Sequence, residues 1–224
     1  MISLQKQARY TSIWVVLISG TLYAQQTTEI NPVTLEYKYM KLTPKSFYFI
    51  RHGQTDWNKI HRLQGQIDIP LNEEGRSQAR QLQQLLHNLD ICHVYYSPLS
   101  RAQETMHIAC AHLDIPKFEV DALKERHFGE WQGTEWDEVK KDTHMHVVPQ
   151  NGESYAAFHE RVLTTINGVL EASEGTVLFV AHAGTFRALC RVIDTHFEAA
   201  VHNCQLFHFV APDATCDQWM IYQI

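Results

Sequence analysis

Paired cysteines are missing from this chain. It holds five cysteines, Cys92, Cys110, Cys190, Cys204 and Cys216, and no two of them form a CxxC unit. An odd, scattered set argues against a disulfide framework and against a zinc site built from cysteine pairs. Cys110 and Cys190 sit in apolar helical stretches and read as small buried hydrophobes. Free thiols favour a reducing compartment, and so the cytoplasm. A basic excess is missing too. Nineteen Lys and Arg against 25 Asp and Glu leave a formal net charge of -6, so no overall basic surface is available to a nucleic-acid backbone. Any phosphate site must be a local arginine cluster within an acidic protein. Internal repeats and low-complexity tracts are absent. No cluster of carboxylates has the spacing of a metal site, so no metal and no cofactor is expected.

Long apolar runs are scarce. The stretch from Ile13 to Ala24 follows Lys6 and Arg9 in the manner of a secretory signal. It is too short and too interrupted for a good membrane span, so no stable span is expected. Leu22 sits where a cleavage site wants a small residue. Two accounts stay open: an export signal or anchor, or a segment dispensable for the fold, with Met40 as a natural start. Residues 25 to 45 are polar, contain Pro32 and Pro44, and read as a linker. The chain therefore divides into an extension over 1–39 and a domain over 40–224.

Within that domain strand and helix signals alternate. Phe47 to Ile50 is a short β-favouring run ending at Arg51-His52-Gly53. Ala79, Leu82, Leu85, Leu86 and Leu89 recur at helical spacing and predict a helix over about 73–88. Val94 to Tyr96 is a second strand, closed by Ser97-Pro98, and a helix over about 100–112 follows. Phe118 to Val120 is a third strand; the 130s and 140s read as irregular; a long helix is expected over about 154–172. Thr176 to Ala181 is almost continuously apolar, as a central parallel strand covered on both faces should be. A helix follows it, and Gln205 to Val210 and Gln218 to Tyr222 read as closing strands. This alternation predicts an α/β fold, a three-layer α/β/α sandwich around a mostly parallel sheet.

Ligands of such sheets bind beyond the carboxyl ends of the strands. Three strand ends carry polar residues: Arg51-His52, Ser97 to Arg101, and His182. Taken singly they say little. The chain has 14 histidines, and a lone His after a strand is more often structural than catalytic. His144 and His146 form an HxH pair, but in a polar loop it reads as solvated rather than metal-binding.

Combined, the segments become specific. Arg51-His52-Gly53-Gln54-Thr55 with Asn58, Ser97-Pro98-Leu99-Ser100-Arg101-Ala102-Gln103-Glu104-Thr105, Glu125 within Leu123 to Gly129, and Val180-Ala181-His182-Ala183-Gly184 occur in that order. In order and spacing they resemble the histidine phosphatase superfamily, the phosphoglycerate mutase-like enzymes, over about residues 46–224. Gly65 to Leu71, Gly152-Glu153-Ser154 and Phe186 to Leu189 add minor matches. The resemblance implies that His52 is the nucleophile and becomes a phosphohistidine, which splits transfer into two steps. His52 must then be neutral, and Arg51 and Arg101 would hold its proton off while gripping phosphate oxygens. His182 would donate to phosphate, and Glu125 would protonate the leaving oxygen and later activate water. Asn58, Gln64, Gly65 and Ala183 are implied as substrate contacts.

The superfamily holds mutases and phosphatases. Glu125 and His182 are only 57 positions apart (125 to 182), where the cofactor-dependent mutases resembled here carry a longer insertion with basic residues for the substrate's second acidic group. This interval offers Lys140, Lys141 and Arg161 and no Arg-Arg pair. A mutase must exclude water and a phosphatase must admit it, so the short interval favours hydrolysis of small phosphorylated metabolites. Phe128-Gly129-Glu130-Trp131-Gln132-Gly133 looks like the small-molecule phosphatases, such as those acting on α-ribazole phosphate, whereas Glu125 to Gly129 also fits the mutases. A catalytically silent phosphate-binding module is the reading from another class. Specificity is assigned to residues 60–70 and 130–151, with Trp136 expected to pack. Oligomeric state is not legible.

Overall fold

A computed structural model describes residues 40–144, 147–193 and 200–224. The N-terminal extension and His146 lie outside the described residues. One six-stranded sheet organises the domain, with β1 at Phe47–Arg51, β2 at His93–Tyr96, β3 at Lys117–Glu119, β4 at Val177–Ala181, β5 at Leu206–Val210 and β6 at Met220–Gln223. Their spatial order is β3-β2-β4-β1-β5-β6. The β3-β2, β2-β4 and β4-β1 pairs are parallel, whereas β1-β5 and β5-β6 are antiparallel. The mostly parallel sheet is as expected, with the two closing strands reversed.

Helices cover both faces. On one lie α2 (Glu73–His87) and α3 (Ser100–Ala109), and α5 (Tyr155–Ala172) and α6 (Ala183–Val192) lie on the other. Side chains alternate across a strand, and the two cores divide accordingly. Phe47, Phe49, Phe179 and Ala181 join Phe158, Phe186 and Phe209 in one core, while Ile50, Leu178 and Val180 join Leu82, Leu86 and Met106 in the other. All five residues of β4 are buried. The aromatic core is stacked tightly, with the Phe47 and Phe209 rings 4.7 Å apart and nearly parallel.

Two helices arise where the sequence reads as loop. The first, α1, is the single turn Asp56–Lys59, made by a capping box: Thr55 Oγ1 accepts from Asn58 N while Asn58 Oδ1 accepts from Thr55 N. One turn has no apolar stripe to betray it. The second, α4 (Trp136–His144), shows only Trp136 and Val139 as apolar residues one turn apart. They belong to a third, small cluster with Leu63, Phe128 and Trp131. In α2, Leu85 turns outward and is 41% exposed, although its spacing fits the stripe. Among the described residues no helix is long and apolar enough to cross a membrane.

The ladder bonds continue past the strand ends and align the functional segments. His52 N donates to Ala181 O at 3.0 Å, and Ser97 N donates to Val180 O at 3.1 Å. The carboxyl ends of β1, β2 and β4 thus share one rim. Because β5 runs antiparallel to β1, the segment entering it arrives at the same rim, where Cys204 N donates to Arg51 O at 3.0 Å.

Candidate active site

His52 leaves β1 and is buried, with 3% of its surface exposed. Its Nδ1 lies 2.8 Å from Gly53 O. A carbonyl only accepts, so Nδ1 carries the hydrogen and the lone pair of the neutral ring is on Nε2. Burial is the main force keeping the ring neutral, and the Arg101 and Arg51 guanidiniums add to it, so its pKa falls well below 6.5. The sequence pointed to the two cations; the larger cause, desolvation, is a property of the fold. The loop is tight: Gly53 N donates to Thr105 Oγ1 at 2.9 Å, and a Cβ on Gly53 would meet Gly75 O at 2.7 Å.

The second motif now reads residue by residue. Ser97 Oγ accepts from Leu99 N at 3.3 Å and sits 2.8 Å from His182 Nε2. With the Ser97 hydroxyl assigned as the donor to Nε2, the His182 hydrogen is on Nδ1. Arg101 is buried at the start of α3, and its Nη1 and Nη2 donate to Ile67 O at 3.0 Å and Gly65 O at 2.6 Å. Glu104 pairs with Arg76 at 2.6 Å, joining α3 to α2. Thr105 Oγ1 donates to Arg101 O at 2.6 Å, linking the arginine's helix to the His52 loop.

Arg51 anchors its Nη1 on Val201 O. Burial lowers the pKa of Arg51 to about 10, with Arg187 contributing, and burial lowers Arg101 to about 10 as well. Both remain cations at neutral pH. His182 is buried 5.2 Å from the His52 ring, and desolvation followed by Arg101 and His52 pushes its pKa well below 6.5. Arg51 Nε, Arg101 Nε and His182 Nδ1 are buried with no hydrogen-bond partner among the described residues. Three unpaired donors near one imidazole are costly to leave without a partner, and two of them belong to arginines that line the cleft.

Glu125 follows the 3-10 turn Asp121–Leu123. Its Oε1 accepts from Arg126 N at 2.9 Å, and its Oε2 accepts from Gly184 N at 3.0 Å in the first turn of α6. A Cβ at position 184 would lie 2.0 Å from Oε1, so the glycine is required for the carboxylate to dock there. Arg161 braces the same segment. It grips Glu153 with Nε and Nη2 at 2.9 and 2.7 Å, and its Nη1 reaches Ala122 O and Lys124 O.

Arg51, His52, Asn58, Gln64, Gly65, Arg101, Glu125 and Ala183 all line one cleft of about 870 Å³. His182 lies behind it, against His52 and Ser97. Asn58 has its oxygen committed to Thr55 N, leaving the amide NH₂ as a donor to the cleft. Gln64 Oε1 is buried without a partner. The Gly65 carbonyl is taken by Arg101, and its φ of +56° with Gln132 close by excludes a side chain. The residues present suit a phosphate more than a metal: among the described residues no three His, Cys, Asp or Glu side chains gather as ligands.

The cleft wall differs from the expected one. From 130–151 Trp136 lines it, packing on the small cluster as expected while facing the cleft. Arg161 serves Glu153, and Lys140 pairs with Asp137 at 2.9 Å, so neither supplies the cleft's charge. Instead Arg62, Arg126, Arg187 and Arg191 line it, together with Trp57 and Tyr155. Arg126 lies 4.5 Å from the Tyr155 ring centre, and Arg62 lies 5.8 Å from that of Trp57. Three of these were within reach of sequence reasoning: Arg126 adjoins Glu125, and Arg187 and Arg191 share a helix face after His182. Asn203, whose Nδ2 donates to His52 O at 2.9 Å, carried no such signal.

Comparison with known proteins agrees with this geometry. The model of the histidine phosphatase superfamily, branch 1, matches residues 47–214. The chain is 35% identical over 141 residues to an uncharacterized phosphatase, PhoE, of Bacillus subtilis, covering 62% of this chain and 72% of the relative. It is 31% identical over 167 residues to the adenosylcobalamin/alpha-ribazole phosphatase of Escherichia coli, covering 69% and 82%. The crystal structure of a phosphoglycerate mutase from Thermus thermophilus superposes with a TM-score of 0.64 at 28% identity, covering 80% of this chain and 98% of that one. The chain belongs to the histidine phosphatase superfamily, branch 1.

Proposed function

We propose that this protein hydrolyses phosphomonoesters of small metabolites through a phosphohistidine on Nε2 of His52. The observation that carries this reading is the set of three buried, unpartnered donors, Arg51 Nε, Arg101 Nε and His182 Nδ1, around a neutral imidazole whose Nδ1 is already occupied. In the first step Nε2 attacks phosphorus, the bond from phosphorus to the ester oxygen breaks, and Glu125 gives that oxygen its proton. In the second, water attacks the phosphohistidine, Glu125 takes the water's proton, and the N–P bond breaks to release phosphate. The guanidiniums and His182 offset charge on the equatorial oxygens throughout. Asn58 adds an uncharged donor.

Hydrolysis is favoured over mutase chemistry because the interval from Glu125 to His182 is short, and within it Lys140 pairs with Asp137 and Arg161 with Glu153, which leaves Arg126 as its one arginine on the cleft. Mutase activity is the second reading, favoured by the Glu125 to Gly129 segment and by relatives on both sides of that divide. Incubation of 3-phosphoglycerate with and without 2,3-bisphosphoglycerate decides between them: steady phosphate release supports the phosphatase, and rapid isomer exchange with little free phosphate reverses the choice.

Wild-type protein should turn over p-nitrophenyl phosphate with EDTA present, and His52→Ala should abolish that turnover while leaving the fold intact by circular dichroism. A folded wild type that is inert from about pH 5 to 8 sinks the enzymatic reading in favour of a silent binding module; a His52→Ala enzyme with near-normal rates sinks the nucleophile.

Glu125→Gln should lower kcat on alkyl phosphates by about 10²–10⁴-fold and hurt p-nitrophenyl phosphate far less, because phenolate needs little protonation. Gly184→Ala should reproduce that selectivity, since the new Cβ displaces the carboxylate. Equal losses on both substrates would rule out the acid role.

Burial also predicts a pH dependence of stability. The folded pKa values of His52 and His182 are depressed, so the unfolded chain takes up protons first as pH falls below about 6.5. Stability is then lost with falling pH, by about 1.4 kcal/mol per pH unit for each histidine. Urea midpoints should drop between about pH 7 and pH 5.5, with a shallower fall in His52→Asn; a flat wild-type profile would contradict neutral burial.

A further inference from the structure

The turn that leads into β5 braces one side of the site, although no sequence motif includes it. Val201 O accepts from Arg51 Nη1, and Cys204 N donates to Arg51 O at 3.0 Å and to His52 O at 3.3 Å. His202 N closes the turn on Gln205 Oε1 at 2.6 Å. Cys204 has a φ of +54°, a left-handed conformation that residues with a side chain rarely adopt. Such backbone persists where its surroundings over-determine it. Between these anchors stands Asn203, on the wall of the cleft. Its Nδ2 donates to His52 O at 2.9 Å and to Asn58 Oδ1 at 3.3 Å. A backbone carbonyl only accepts, so His52 O sets which way the Asn203 amide faces.

Neither bond is needed to satisfy its acceptor. His52 O also accepts from Cys204 N, and Asn58 Oδ1 also accepts from Thr55 N and Thr55 Oγ1, each at 3.1 Å. The turn keeps its other anchors if the amide is removed. What the amide adds is a link between two residues that are otherwise held separately, His52 by the ladder beyond β1 and Asn58 by the capping box of α1. We infer that Asn203 is a positioning residue for phosphoryl transfer: it fixes the nucleophile His52 against Asn58, the uncharged donor across the phosphoryl group. The inference deepens the phosphatase reading and rests on the roles given there to His52 and Asn58. The charge that holds a bound phosphate comes from Arg51 and Arg101, so alignment of a neutral amide contributes little to that ground state. During transfer the phosphoryl group moves toward Nε2, and its oxygens spread into the equatorial plane. The donor must then stand at one distance from the nucleophile, and small misplacements are costly. Loss of the link therefore weakens the transition state more than the bound ground state.

Two ligands separate these states without turnover, so failure here is distinguishable from failure of the p-nitrophenyl phosphate assay. Orthovanadate can take up the trigonal-bipyramidal geometry of the transfer step, whereas inorganic phosphate stays tetrahedral. In isothermal titration of the full chain, Asn203→Ala and Asn203→Leu should bind orthovanadate about tenfold or more weakly than wild type, and phosphate within about threefold of it. Asn58→Ala and the double variant Asn58→Ala/Asn203→Ala complete a cycle. The double variant's loss on orthovanadate should fall short of the product of the two single losses by about threefold or more, because the two side chains act as one unit. Thermal melts report folding. Equal losses on the two ligands, an unchanged orthovanadate affinity, single losses that multiply, or a wild type that binds orthovanadate no more tightly than phosphate each overturn the role. So does unfolding of both single Asn203 variants, which would assign the amide to the fold.

Discussion

Two arginines and two histidines buried side by side are the constraint on which the site depends. Burial disfavours every charge in the group, and the outcome differs by residue. The guanidiniums start from so high a pKa that lowering to about 10 leaves them charged, whereas the imidazoles start near neutrality and lose their protons. One environment therefore yields fixed cations and a neutral imidazole with a free lone pair. The cations are tolerated because carbonyls of Gly65, Ile67 and Val201 accept from them. Loop segments that look featureless are thereby arginine holders.

The sheet makes this assembly possible. Its ladder extends one bond beyond β1 and β2, so that His52 and Ser97 both donate to the end of β4. His182 follows directly at the turn from β4 into α6. Glu125 arrives from the opposite side and docks on the first turn of that helix. One helix terminus thus joins the carboxylate's position to the position of His182, and Gly184 is the residue that lets them approach.

Much of the architecture was legible because the signals were strong. Continuous apolarity marked β4 as central, helical spacing marked α2 and α5, and four motifs in order pointed to the family and to one rim. What escaped was determined by long-range contact. Turn α1 is too short to have a period, and α4 shows only two apolar positions. Asn203 lines the cleft because segments distant in sequence meet there, and no spacing rule encodes that. Arg161, one of the basic residues in the interval before His182, has its fork spent on Glu153 and two carbonyls.

The small cluster of Leu63, Phe128 and Val139 sets the two sides of the cleft apart in cooperativity. The floor, His52 and His182, is continuous with the two large cores that flank the sheet, and opening it requires disrupting them. The wall bearing Trp136 rests on a few side chains of its own, and regions with few buried apolar contacts open at lower free energy than a core.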